Sequence, residues 1–189
     1  AGATAGGYGT VFPCGTLPTA SSLNYTAGLV RPNELISKLS PTGSVCIFVS
    51  QPTHLIVDVV GYLPVTQGYQ PLTPARLADT RPGQTTIDGF YAAEGVRTDG
   101  TIYDIQVAGR GGVPINATTA VVNVSVVAQI GGYLTVYPCG TLPTASSLNY
   151  DAGNVRPNEL VAKLSPEGRV CIFVKGQTHL IVDVVGHIS

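Results

Sequence analysis

The sequence predicts an all-β protein, an antiparallel and jelly-roll-like β-sandwich of repeat modules with one disulfide per module. Three observations predict it. Short runs rich in Val, Ile, Thr and Tyr, residues that suit a pleated and half-buried backbone, recur along the chain. Turn signals such as RPGQ, GRGGVP, PEG and GQ break these runs roughly every eight to twelve residues, the rhythm of a sandwich or barrel. No stretch keeps a helical period for more than about two turns.

The elements follow in order along the second part of the chain. ARLADTR, residues 75–81, reads as a short strand closed by the turn RPGQ. GTIYDIQVA, residues 100–108, alternates as a strand and ends at the glycine-rich loop GRGGVP. AVVNVSVVA, 120–128, is a nearly continuous apolar run, as a buried strand requires. GYLTVYP is a strand stopped by Pro138, and SSLNY is a short one. PNELVAKLS, 157–165, fits a strand or one helical turn, and RVCIFVK and THLIVDVVG are strong strands.

The chain repeats itself. VFPCGTLPTASSLNY at 11–25 returns as VYPCGTLPTASSLNY at 136–150. With a period of 125 residues, Gly7–Tyr62 aligns with Gly132–His187 and 44 of 56 pairs are identical. Most of the changes, such as Ser44/Arg169 and Ser50/Lys175, are surface-like. Residues 68–130 occur once. The expected division is therefore 1–64, the rear half of a repeat module, and 65–189, a complete module, cut from a longer tandem array. The alternative is a small β domain of about 57 residues used twice around a spacer.

Cys14, Cys46, Cys139 and Cys171 allow three disulfide pairings. Self-contained repeats favour Cys14–Cys46 and Cys139–Cys171, each closing a loop worth roughly 3–4 kcal/mol and implying an oxidising compartment. Zinc is the competing use, and the sequence offers no CxxC pair or neighbouring His to complete it.

Composition excludes several functions. Charged residues are 11% of the chain and the net charge is −1, so there is no basic footprint for nucleic acid and no polybasic patch for a membrane. The longest apolar runs are strand-sized, far below the roughly 20 residues of a spanning helix. Nucleophile-elbow, HExxH and phosphate-loop motifs are absent. In THLIVDVVG, His179 and Asp183 share a strand face but stand about 13 Å apart, too far for a catalytic dyad. Asp79, Arg81, Asn123, Asn149, His179 and Asp183 are read as a structural polar cluster, the alternative being the lining of a ligand site, with Arg81 a bidentate partner for Asp183. His54 and Asp58 repeat the His/Asp pattern in the first copy. The Asn-X-Ser/Thr pattern occurs at Asn24, Asn116 and Asn123. No catalytic residue, metal or cofactor is expected.

Taken together, ARLADTRPG, VAGRGGVP, TAVVNVSVV, GYLTVYPCG, SSLNY and THLIVDVVGHI resemble a repeat module of secreted and cell-surface proteins of actinobacteria. The resemblance covers one module and the rear half of another, and it implies location and architecture rather than chemistry. The expected function is that of a non-catalytic extracellular structural protein, a unit of a stalk, layer or filament that self-associates through strand edges or neighbouring repeats. The alternative is an adhesion module for cell-wall or host glycans, with Tyr8, Tyr25, Tyr133 and Tyr150 as candidate contacts.

Overall fold

The computed structural model describes residues 3–28, 31, 33, 35–57, 59, 62 and 68–188. Among these the protein is all-β, with eleven strands in three antiparallel sheets and two disulfides. The strands are β1 (Gly7–Pro13), β2 (Leu23–Tyr25), β3 (Val45–Val49), β4 (Tyr69–Asp79), β5 (Thr101–Gln106), β6 (Thr119–Ala128), β7 (Gly132–Pro138), β8 (Leu148–Tyr150), β9 (Val155–Lys163), β10 (Arg169–Lys175) and β11 (Thr178–Ile188). Sheet I is β2-β1-β3, sheet II is β5-β10-β7-β8, and sheet III is β4-β11-β6-β9. The segment PNELVAKLS resolves as the strand β9.

The pairing pattern of sheets II and III explains the module. Strand β4 pairs with β11, β5 with β10, β6 with β9 and β7 with β8. This is one long antiparallel ribbon, with its tip at β7–β8, rolled so that alternate pairs fall in opposite sheets. Two further pairings, β6–β11 and β7–β10, close the roll. An eight-stranded jelly roll is built this way. Every front strand, β4 to β6, therefore depends on a rear strand, β9 to β11.

Between the sheets lies one apolar cluster. Val122, Val124, Val126, Leu180, Val182 and Val184 of sheet III meet Ile105, Leu134, Val170, Ile172 and Val174 of sheet II, all fully buried. Each such side chain contributes roughly 1.5–3 kcal/mol relative to exposure. Every residue of this cluster lies between Ala75 and Val184. The turn GRGGVP packs against it through Gly111, whose φ is +57°. A Cβ there would stand 2.8 Å from Val184 Cγ1 and 3.0 Å from Leu77 Cδ2, so only glycine fits. That glycine-rich turn is a close approach of backbone to core.

The first copy keeps only part of this. Strands β1, β2 and β3 match β7, β8 and β10 of the second copy, because they pair among themselves and carry Cys14–Cys46. The strand expected at THLIV, residues 53–57, does not form. Leu55, Ile56, Val57, Val59 and Tyr62 are exposed, Ile56 by 87% and Val59 by 88%. The reason is non-local. In the second copy the same sequence is β11, paired on both sides by β4 and β6, whereas among the described residues no strand pairs with 53–57. Asp58 lies outside the described residues. Described positions among 31–38, the counterparts of β9, likewise form no strand, and no described strand stands beside them as β6 stands beside β9.

Candidate functional site

Sheet III has a second face, turned away from the core. Its polar residues form a line across all four strands, because register places Arg76 of β4 opposite Asp183 of β11, Asp183 opposite Asn123 of β6, and Asn123 opposite Glu159 of β9. Arg76 is 6% exposed, Asp183 1% and Asn123 2%. The Arg76 guanidinium forks onto Asp183, Nε to Oδ1 at 2.8 Å and a terminal nitrogen to Oδ2 at 3.0 Å. Its other terminal nitrogen reaches Asp79 at 2.9 Å. Arg81 closes the group by donating to both oxygens of Asp79, at 2.9 and 2.6 Å. Burial works against the Arg76 charge, but the carboxylates of Asp183 and then Asp79 outweigh it and raise its pKa. The four charges sum to zero, which makes the burial tolerable.

This corrects the expected partnership. Asp183 is held by Arg76, and Arg81 instead serves Asp79. Strict alternation along ARLADTR puts Asp79 and Arg81 on one face and Arg76 on the other. The structure inserts an extra residue, Leu77, between the pairs Asp183–Arg76 and Val182–Ala78. That bulge brings Arg76 and Asp79, three apart, to the same side. A bulge leaves no mark in a hydrophobic pattern this short, so Arg76 was not legible as a site residue.

Two other members of the cluster lie elsewhere. His179 Nδ1 and the Thr80 hydroxyl are 3.1 Å apart at the end of β11. Asn149 is exposed on β8 of the opposite sheet and donates to Ser146 Oγ at 3.3 Å. Asn123, though it matches a glycosylation pattern, is too buried to accept a glycan, whereas Asn116 is exposed.

What covers the polar line is the first copy. The backbone of Ser21 docks on it, its N–H donating to Asp183 Oδ2 at 3.0 Å and its carbonyl accepting from Asn123 Nδ2. Nearby, the Ile36 N–H donates to Glu159 Oε1 at 2.7 Å. The Ile36 side chain packs against a second apolar cluster of Tyr69, Val121 and Val185. Ala20, Ser21 and Ser22 are consequently buried.

The tyrosines proposed for glycans diverge. Tyr150 is 4% exposed, and its hydroxyl donates to the Lys175 carbonyl at 2.8 Å. Burial, with Asp99 nearby, pushes its pKa up to about 12. It presents no ring face to a ligand. Tyr25 donates to the Gln51 carbonyl at 2.8 Å. Tyr8 pairs with Phe48 at 5.8 Å between ring centroids, and Tyr133 with Phe173 at 6.1 Å. The latter pair borders an open groove of about 550 Å³ with Thr135, Thr144 and Asn149.

All four cysteines are bonded, Cys14 to Cys46 and Cys139 to Cys171, each pair with Cα atoms 4.8 Å apart. Asp104 lies close to the second bridge. Its carboxylate is held by Arg169 at 2.6 Å, and bridged sulfurs are not thiolate ligands. Among the described residues, no helix is long and apolar enough to cross a membrane. Comparison with models of known protein families and with curated protein sequences returns no match.

Proposed function

We propose that the protein is a non-catalytic extracellular structural protein, a unit of a stalk, layer or filament built from disulfide-bonded jelly-roll modules. The observation that carries this reading is the docking of the first copy on the second. The most polar buried cluster of the fold holds another repeat, through backbone N–H and C=O groups, instead of a small molecule. The bridged cysteines suit an oxidising environment outside the cell. Edge strands β4, β5, β8 and β9 supply further self-association surfaces. The test is electron microscopy of the native material. Beaded rods, lattices or fibres are expected, and well-separated single particles would count against the reading.

A second reading, adhesion to cell-wall or host glycans, is favoured by one feature. The Tyr133–Phe173 pair borders an open groove rimmed by Thr135, Thr144 and Asn149, and a matching ring pair, Tyr8–Phe48, occurs in the first copy. Paired weak sites would gain avidity. A glycan array bound through Tyr133 and lost in Tyr133→Ala would support it, and an array with no hits would remove it.

A further inference from the structure

The loop that docks exists twice, and only one copy is occupied. Residues 19–22 and 144–147 both read TASS. Four hydrogen bonds that shape the loop recur in both copies. Thr10 Oγ1 donates to the Ala20 carbonyl as Thr135 Oγ1 does to that of Ala145. The Val11 N–H donates to Ser22 Oγ at 3.0 Å, and the Val136 N–H to Ser147 Oγ at 2.9 Å. Asn33 Nδ2 donates to the Ser22 carbonyl at 2.7 Å, and Asn158 Nδ2 to that of Ser147 at 2.8 Å. The Ser22 N–H meets the Gly9 carbonyl, and the Ser147 N–H the Leu134 carbonyl, each at 2.8 Å. The loop is therefore pre-shaped whether or not it is docked.

Burial separates the copies. Ala20 and Ser21 are 7% exposed, whereas Ala145 and Ser146 are exposed. Ile36, which packs beside the polar line, corresponds to Val161, 60% exposed. The loop lies outside the sandwich core, on the sheet II side, and its docking position lies on the outer face of sheet III. Each module thus carries a donor loop on one side and an acceptor line on the other. In this chain the acceptor is filled by the first copy, and the second donor is open.

We propose that the loop 144–147 docks on the polar line Arg76–Asp183–Asn123–Glu159 of another module of the same kind, in the manner of Ser21. The partner is a module whose acceptor line is uncovered. Ser146 N–H meets that module's Asp183 carboxylate, and Ser146 C=O meets its Asn123 amide. Donor and acceptor differ, so the contact is heterologous and propagates head to tail. This rests on the structural-array reading and names the partner of its docking site. It differs from strand-edge pairing, because no backbone ladder is extended.

The test uses residues 65–189 as a separate module. Both of its sheets and the main core lie within 69–188, so the module contains its own fold. It carries an open donor and an uncovered acceptor. Sedimentation analysis is expected to show concentration-dependent oligomers, and Ala145→Arg, a change at an exposed site, to return it to monomer with an unaltered melt. A folded module that stays monomeric at high micromolar concentration overturns the proposal. So do oligomers indifferent to Ala145→Arg. A second experiment keeps the full chain. Ala20→Arg expels the first loop and frees the acceptor, so association appears, and adding Ala145→Arg abolishes it. A monomeric Ala20→Arg variant likewise overturns the docking. That failure leaves the array reading standing, since modules can be strung on a chain without docking; absence of rods or lattices from native material would instead remove the array reading.

Discussion

Replacing Asp183 by Asn isolates the buried charge at the centre of the polar line. The substitution keeps the shape and leaves Arg76 and Arg81 facing Asp79 alone, one positive charge in excess. Asp183 accepts from Arg76 twice and from Ser21 once, at 2.8, 3.0 and 3.0 Å, and is 1% exposed. Two unit charges whose centres lie about 4 Å apart attract by about 4 kcal/mol at an effective dielectric constant of 20. Breaking a buried pair by removing one partner typically costs about 3–5 kcal/mol. Arg81, 33% exposed in its side chain, gives water some access to the group, so the lower end applies, about 3 kcal/mol. Urea unfolding followed by far-ultraviolet circular dichroism measures it, since the chain has no Trp. Adding Arg76→Met to Asp183→Leu should cost less than the sum of the two single changes, because neither charge is then left alone. A loss below about 1 kcal/mol for Asp183→Asn, or strict additivity in the pair, would refute the claim that the line is desolvated.

Three further outcomes are expected. Leu134→Ala should cost about 3–5 kcal/mol, because Leu134 is fully buried between the sheets, whereas its counterpart Gly9 tolerates Ala; urea midpoints compare them. Removing Cys139–Cys171 by paired Ser substitutions should cost roughly 3–4 kcal/mol of module stability, while removing Cys14–Cys46 should leave the main transition in place and loosen β1–β3, read by hydrogen exchange. Burial lowers the pKa of His187 below its ordinary 6.5. Below pH 6.5 the unfolded chain therefore binds more protons, so stability is complete above that value and declines as pH falls through it; His187→Tyr, the residue of the first copy, should flatten this decline in melts at pH 7.5 and 5.5.

Much of the fold was legible because it is written in alternation and punctuation. Val122, Val124 and Val126 point inward as their period of two requires, and Asn123 and Ser125 point outward between them. The disulfide pairing followed from the repeat. The polar site was legible only in part. Asp79, Asn123 and Asp183 were found as polar residues in apolar strands, but their partner Arg76 depended on the Leu77 bulge. Ser21 and Glu159, which complete the docking, carry no sequence signal, since Ser21 acts through its backbone.

The sequence by itself determined which segments can be strands, which faces are apolar, and which phrases recur. Tertiary structure decided which of those strands form. THLIVDVVG occurs twice without a change, yet in the second copy it is the central strand β11, with Leu180, Val182 and Val184 fully buried. In the first copy the matching Leu55, Val57 and Val59 stand exposed. The same contrast holds for TASS, buried at 19–22 against a polar line and open at 144–147. A strand's hydrogen bonds and a loop's partners belong to residues far away in the chain, so identical local sequence leaves both fates available until the rest of the molecule supplies the other half.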